Sequence, residues 1–402
     1  MDEIKPPELE QELGMEVYAS RTEGIGGRIK QIPEDFIVEE ITPDGKILEI
    51  GNRGIENKNQ EEKEYVHFTL QKYNWDTMKA IKEISRRLGI SHKRFGFAGT
   101  KDKRALTTQR VSLWNKKIED LERVRIKDIK LKDFRYEDER INLGDLLGNR
   151  FTVVIRNLEY DEEIIRERIS SLMNELKGQI PSFFGVQRFG TVRPITHLVG
   201  KEILKKNFKG AVMIYLSMEF EGEDEEVKEV RKTLRETGDF RETLKNFPKH
   251  LGYENAMLNF LVKEREKENF IGALRKLPKK LRQMFIHAYQ AYIFNKSLSE
   301  YIKRGIVVER LPLVGYKTEI DEITSRILNE EGISQEDFRV DSMPELSSKG
   351  EYRNCFAIVE NLEIINIGDD ELNEGKKRLT IRFSLGKGNY ATVFLREVMK
   401  SP

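Results

Sequence analysis

Segments whose apolar residues alternate recur in the first part of this 402-residue chain and return at its very end. From about residue 200 the stretch between them runs in long helical periods. Period-two alternation places successive side chains on opposite faces of a sheet, whereas a 3.6-residue period builds a helix stripe. Strands at both ends with a helical middle therefore predict an α+β domain interrupted by an insertion. Phe36, Val38 and Ile41 alternate among acids in "GGRIKQIPEDFIVEEI", as do Val66, Phe68 and Leu70 in "EYVHFTLQKY". Phe151, Val153 and Ile155 keep phase in "GNRFTVVIRNL", and Ile381, Phe383 and Leu385 do so near the end, before a Gly-Lys-Gly turn and a short closing helix.

Helical periods interrupt the first part. In "WDTMKAIKEISRRLGI" Met78, Ile81, Ile84 and Leu88 form a stripe, Asp76 or Thr77 can cap its start, and Gly89 can end it. "DEEIIRERISSLMNELKG" carries Ile165, Ile169, Leu172 and Leu176 and stops at Gly178. The longest helical stretch, "LRQMFIHAYQAYIFNKSLSEYI", aligns Phe285, Ala288, Tyr292 and Asn295. Glu219, Glu221, Glu223, Asp224, Glu225 and Glu226 form an acidic patch, read as a solvated face and a poor surface for RNA. No internal repeat or low-complexity tract is present.

Charged residues make up 35% of the chain, yet the formal net charge is +1. Dense charge of both signs is a pattern of heat-adapted surfaces. A near-neutral total argues against indiscriminate coating of nucleic acid, so any such site must be a local patch. The single cysteine, Cys355, rules out an internal disulfide and a Cys-based zinc site and fits a reducing compartment. The five histidines show no metal-ligand spacing, so no metal is expected. The acidic, proline-bearing N-terminus is unlike a signal peptide, and no run is long enough to span a bilayer. These features predict a soluble, cytoplasmic protein.

One local patch departs from neutrality. Around "FGFAGTKDKRALTTQR", Lys93, Arg94, Lys101, Lys103, Arg104 and Arg110 surround a single acid, Asp102. The second half, "TTQRVSLW", alternates like a strand, which places Asp102 near a loop leading into it. A P-loop fails on spacing, since Gly96 and Gly99 are three apart and Thr100, Lys101 and Asp102 follow; a dinucleotide fingerprint lacks its third glycine. "GIGG", near residue 24, fits neither pattern. As an isolated residue, Asp102 reads as a turn aspartate. Surrounding cations favour the charged form of a carboxyl and draw in a polyanion, and a carboxylate that approaches nucleic acid needs such a shell. "PSFFGVQRFG" groups Phe183, Phe184 and Phe189 with Gln187 and Arg188, either as core aromatics or as a platform for an unstacked base.

Taken together, these motifs resemble the TruD family of tRNA pseudouridine synthases, in an archaeal-type form. "FGFAGTKDKRALTTQRVSL" looks like that family's signature, with Asp102 at its catalytic aspartate. "RIKQIPEDFIVEE", "LGDLLGNRFTVVIR", "PSFFGVQRFG", "QAYIFNKSLSE" and "IRFSLGKGNYATVFLREV" follow in family order and span nearly the whole chain. The resemblance implies isomerisation of uridine to pseudouridine, expected at position 13 in the D arm of tRNA, with no metal or organic cofactor. It implies a catalytic domain with a mixed, mainly antiparallel sheet flanked by helices, plus an inserted family-specific α+β domain. The expected division is 1–200 and 356–402 for the catalytic domain and 201–355 for the insertion, with a tRNA-receiving cleft between them. No oligomer is demanded.

The resemblance also assigns roles. Asp102 attacks C1′ or removes a 2′ proton. Lys30 falls on the family lysine that pairs with the aspartate, Phe184 on the aromatic that stacks on the target base, and Phe36 on a second pocket aromatic. Ser182 stands where relatives often carry Asn, with shorter reach toward the aspartate or base. Arg188 completes the substrate set, and Lys101, Lys103, Arg104 and Arg110 are expected RNA contacts. Two other classes stay open: a non-catalytic RNA-binding protein or chaperone on the same fold, and an enzyme using nucleotide phosphates.

Overall fold

The computed structural model describes residues 4–51, 61–264 and 268–401. Its contacts divide the chain into two compact units, one holding Ser20–Ile180 and Ala357–Ser401, the other holding residues up to Ala19 together with Pro181–Phe356.

The strands are β1 (Phe36–Ile41), β2 (Tyr65–Tyr73), β3 (Phe95–Phe97), β4 (Leu106–Trp114), β5 (Ile129–Glu137), β6 (Gly148–Leu158), β7 (Gln179–Pro181), β8 (Arg310–Leu313), β9 (Glu351–Asn354), β10 (Phe356–Asp369) and β11 (Lys377–Gly386). Nine of them form one sheet in the order β5-β2-β4-β1-β6-β11-β10-β7, with β3 paired to β4. β1 runs parallel to β4, while β2–β4, β2–β5, β3–β4, β1–β6, β6–β11 and β10–β11 are antiparallel. The sheet is thus mixed and mainly antiparallel. The closing segment joins the earlier strands in it: β11 lies against β6, pairing Ile381 with Val153. Alternation sets the burial. Val66, Phe68 and Leu70 are buried from β2, and Phe36, Phe151, Val153, Ile381 and Phe383 form a core with the closing helix Ala391–Met399.

The helix expected over residues 75–90 runs Thr77–Arg87, and the Asp76 carboxylate caps it by accepting the Lys79 N–H at 2.9 Å. The second runs Glu162–Leu176, burying Ile165, Ile169 and Leu172, and ends through Lys177 and Gly178, both at positive φ.

The second unit is mostly helical around the 25-residue helix Lys279–Lys303, with β8 and β9 as a short ladder. Its boundary falls at 180/181 rather than 200/201, and at 356/357 rather than 355/356. The reason is burial: Ile195, Val199 and Ile203, four apart along the helix Thr196–Leu204 and its N-cap, already belong to the helical core. The first residues join it too. Gly14, at φ +81°, brings the chain so close to Lys296 that a Cβ would lie 2.9 Å from that backbone nitrogen. The acidic patch is solvated except at Glu219, half-buried and paired with Arg235 at 2.6 Å, and at Glu223, which pairs with the buried Arg231 at 3.0 Å. No helix among the described residues is long and apolar enough to cross a membrane.

Candidate active site

Asp102 sits in the loop between β3 and β4, so the sheet fixes both ends of its segment. Its side chain is 39% exposed, and Oδ1 accepts from Lys30 Nζ at 2.7 Å. Oδ2 has no hydrogen-bond donor among the described residues. Lys30 precedes β1 at φ +59°, a left-handed conformation that a residue with a Cβ adopts at a cost. The chain is held there from both sides. Arg28 and Arg156 exchange backbone bonds of 2.8 Å, and the Ile32 N–H donates to Asp35 Oδ2 at 3.0 Å.

The Lys30 ammonium also lies 3.9 Å from the centre of the Phe36 ring. Such a cation–π contact contributes on the order of 1 kcal/mol. Phe36 itself is 1% exposed and packs edge-on against Phe151. Its burial leaves the ring expected as a second pocket aromatic in contact with Lys30. It supports Lys30.

The basic shell divides in two. Lys103 and Arg104 are exposed, and Arg104 donates to the Gln31 carbonyl at 2.5 Å. Lys93 is also exposed, and Arg94 donates to the Trp114 carbonyl at 2.6 Å. Lys101 and Arg110 are buried, which corrects their reading as RNA contacts. Lys101 Nζ lies 2.8 Å from the fully buried Glu40 carboxylate and 2.6 Å from Asn149 Oδ1. The Arg110 guanidinium donates to the Asp133 carbonyl at 3.2 Å, and the Arg110 backbone N–H donates to Glu40 Oε1 at 2.9 Å. The Lys101 charge, satisfied inside in this way, has no face to offer a phosphate, whereas the buried Arg110 Nε–H finds no acceptor among the described residues.

Three side chains missed in the sequence complete the loop. Thr77 Oγ1 accepts the Lys101 N–H at 3.0 Å and donates to Gln109 Oε1 at 3.1 Å, while Gln109 Nε2 donates to the Gly99 carbonyl at 2.9 Å. Lys72, on β2, is fully buried and donates to the Asp102 carbonyl at 2.7 Å and the Lys101 carbonyl at 3.3 Å. Its signal was legible: Lys72 continues the phase of Val66, Phe68 and Leu70, the buried face of an alternating strand.

Ser182, Phe184 and Arg188 belong to the helical unit. Asn295 clamps the Phe184 backbone, accepting its N–H at 2.8 Å and donating to its carbonyl at 2.9 Å. The Phe184 ring is 3% exposed, with the guanidiniums of Arg353 at 4.3 Å and Arg188 at 5.2 Å and Phe294 edge-on. Two guanidiniums thus lie over the ring expected to stack on the target base. Ser182 is buried, and its backbone donates to the Cys355 carbonyl at 2.7 Å and accepts from Arg353 Nε at 3.1 Å.

Comparison with known proteins places the whole chain. The family model described as tRNA pseudouridine synthase D (TruD) matches residues 12–311 and 302–398. A relative named "Probable tRNA pseudouridine synthase D" from Methanosarcina mazei is 38% identical over 99% of this chain and 98% of its own. One from Archaeoglobus fulgidus is 39% identical over 98% and 99%, and "Probable tRNA pseudouridine synthase D 1" from Methanocaldococcus jannaschii is 41% identical over 93% and 96%. The crystal structure of a putative tRNA pseudouridine synthase D (TruD) from Methanosarcina mazei superposes with a TM-score of 0.81 at 37% identity, covering 100% of this chain and 99% of that one.

Proposed function

The chain belongs to the TruD family of tRNA pseudouridine synthases, and from that premise we propose that Asp102 is its catalytic carboxylate, acting on uridine 13 in the D arm of tRNA. The protein is an isomerase: the C1′–N1 bond of a uridine breaks, a C1′–C5 bond forms, C5 loses a proton and N1 gains one. The change is redox-neutral, so atoms and electrons balance without a co-reactant.

One observation carries the assignment of Asp102. It is a half-exposed carboxylate on a loop pinned from beneath, with one oxygen held by Lys30 and the other unengaged. Attack on C1′ uses the free oxygen to form an ester with the ribose, which C5 of the turned uracil then displaces. Removal of a 2′ proton uses the same oxygen as a general base. In both, Lys30 orients the carboxylate and offsets the charge it carries. Lys103 and Arg104, exposed beside it, supply the phosphate contacts left once Lys101 and Arg110 are excluded. Arg188 is a further candidate substrate contact, since its buried Nε–H finds no acceptor among the described residues. A cytoplasmic location is supported by the tRNA substrate of the family.

The general test is incubation with unmodified tRNA transcript and chemical mapping of pseudouridine. Binding without product on any RNA would favour a non-catalytic RNA-binding role. Lys30→Met tests the pair. The single-turnover rate should fall by roughly 10²-fold, as for loss of one preorganised electrostatic contact, while tRNA affinity stays near the parent value. Lost affinity at an unchanged rate would instead make Lys30 a phosphate contact.

A further inference from the structure

We propose that Lys72 is a positioning residue for the isomerisation: its buried ammonium, donating to the main-chain oxygens of Lys101 and Asp102, sets the orientation in which the Asp102 carboxylate is presented. The proposal rests on the reading of Asp102 as the reacting carboxylate.

The position is an unusual one for a cation. Lys72 pairs across the sheet with Thr107 of β4 and Ile129 of β5 and shares its face with Val66, Phe68 and Leu70. Among the described residues no carboxylate lies within ion-pair distance of its Nζ, so the cost of burying the charge is offset only by carbonyl oxygens and more distant acids. Those carbonyls belong to the residue carrying the carboxylate and to its neighbour. Fixing the main chain at Lys101 and Asp102 fixes the Cα–Cβ direction of Asp102, which Lys30 then steers from above by a single contact. Thr77, Gln109 and the Lys101–Glu40 pair hold the loop's other backbone and side-chain groups, but Lys72 is the side chain bonded to Asp102's own carbonyl.

The charge state of this anchor adds an independent handle. Burial pulls the Lys72 ammonium down to about 8, opposed by Asp102 and Asp76 and reinforced by Lys101, the charged groups that face it from the loop and the helix cap. Below that pH the two bonds are charge-assisted, and above it they are the weaker bonds of a neutral amine. The rate should therefore decline as pH rises through about 8.

The experiment compares wild type, Lys72→Met, Lys72→Gln and Asp102→Asn. Each is assayed by single-turnover pseudouridine formation with saturating tRNA transcript, tRNA affinity and thermal unfolding, and the rates are repeated across neutral to alkaline pH. Lys72→Met should lose roughly 10²-fold in rate, the scale of a misplacement of about 1 Å, with affinity unchanged and without the alkaline decline near pH 8. Lys72→Gln, neutral but still a donor, should recover part of the rate and also lack that decline. Three results would overturn the proposal: variants within twofold of wild type well below their unfolding temperature, losses that follow melting temperature or affinity instead of rate, or an alkaline decline that persists in both. An active Asp102→Asn would instead sink the underlying assignment of Asp102, which keeps the two failures distinguishable.

Discussion

Asp102→Asn is expected to leave a folded, tRNA-binding protein whose product formation falls by roughly 10⁴-fold. The amide keeps the volume and the Oδ1 that accepts from Lys30, but it can neither attack a ribose carbon nor hold a proton. The fold should hardly notice. The Lys30–Asp102 pair is partly open to water, and pairs of that kind contribute about 0–1 kcal/mol. Loss of rate with stability and affinity intact therefore isolates chemistry. Asp102→Glu sharpens the test: one added methylene displaces the carboxylate by more than 1 Å, and the rate should drop by roughly 10²-fold with the charge conserved. Product yield from Asp102→Asn close to wild type would remove Asp102 from the mechanism and leave the Lys30 contact as surface electrostatics.

Strands β1, β2, β4, β6 and β11 were legible because their apolar residues alternate with polar ones, even in β2 and β4 where both faces are covered, whereas β3, β5 and β7 were not read as strands. "GNRFTVVIRNL" is β6 from its first residue to its last, and the loop position of Asp102 followed from the alternation of β4. Lys30 was legible only through the family resemblance, since seventy-two residues separate it from its partner and nothing local marks it. The errors share a cause. Lys101 and Arg110 were read as surface cations because a charge pattern says how many cations cluster, not which way each side chain turns. Glu40, which takes up Lys101 and the Arg110 backbone, stands on β1, 61 residues before the first and 70 before the second. Phe36 and Phe184 carry a similar ambiguity, because a core aromatic and a base-stacking aromatic are the same residue until burial is known. Lys72 is the opposite case. A charge in the apolar phase of a strand is a local violation of the binary pattern, and such violations mark functional positions.

The second large effect is on stability. Arg156→Met is expected to destabilise the protein by about 3–5 kcal/mol at neutral pH, measured by thermal or denaturant unfolding. Arg156, buried on β6, gives Nε to Asp35 at 2.8 Å, Nη1 to Asp370 at 2.8 Å and Nη2 to Glu371 at 3.0 Å. Methionine fills the volume of the stem but strands the carboxylates of Asp35 and Asp370, both fully buried. The pH dependence distinguishes this from a packing defect. Burial alone would raise the Asp370 carboxyl, but the Asn157 N–H, Asn373, the Leu372 N–H and Arg156 together hold it below its ordinary range. In wild type the stability this contributes is present above the ordinary aspartate range and is lost as pH falls through the lowered value. Without the guanidinium that depression shrinks, and a protonated carboxyl needs no cation. The deficit of Arg156→Met relative to wild type should therefore narrow as pH falls, whereas a cavity or packing loss would hold it constant. A second consequence reaches the active site. Asp35, which the Arg156 Nε holds, also accepts the Ile32 N–H, so the side chain supports one end of the turn that keeps Lys30 at positive φ, while the Arg28–Arg156 backbone bonds at the other end survive the substitution. Releasing it should lower the rate at temperatures where the variant is still folded, with tRNA affinity little changed. Lys30 would then relax out of its left-handed conformation and away from Asp102. A variant that loses stability but keeps the full rate would show that the turn holds its shape without the buried arginine.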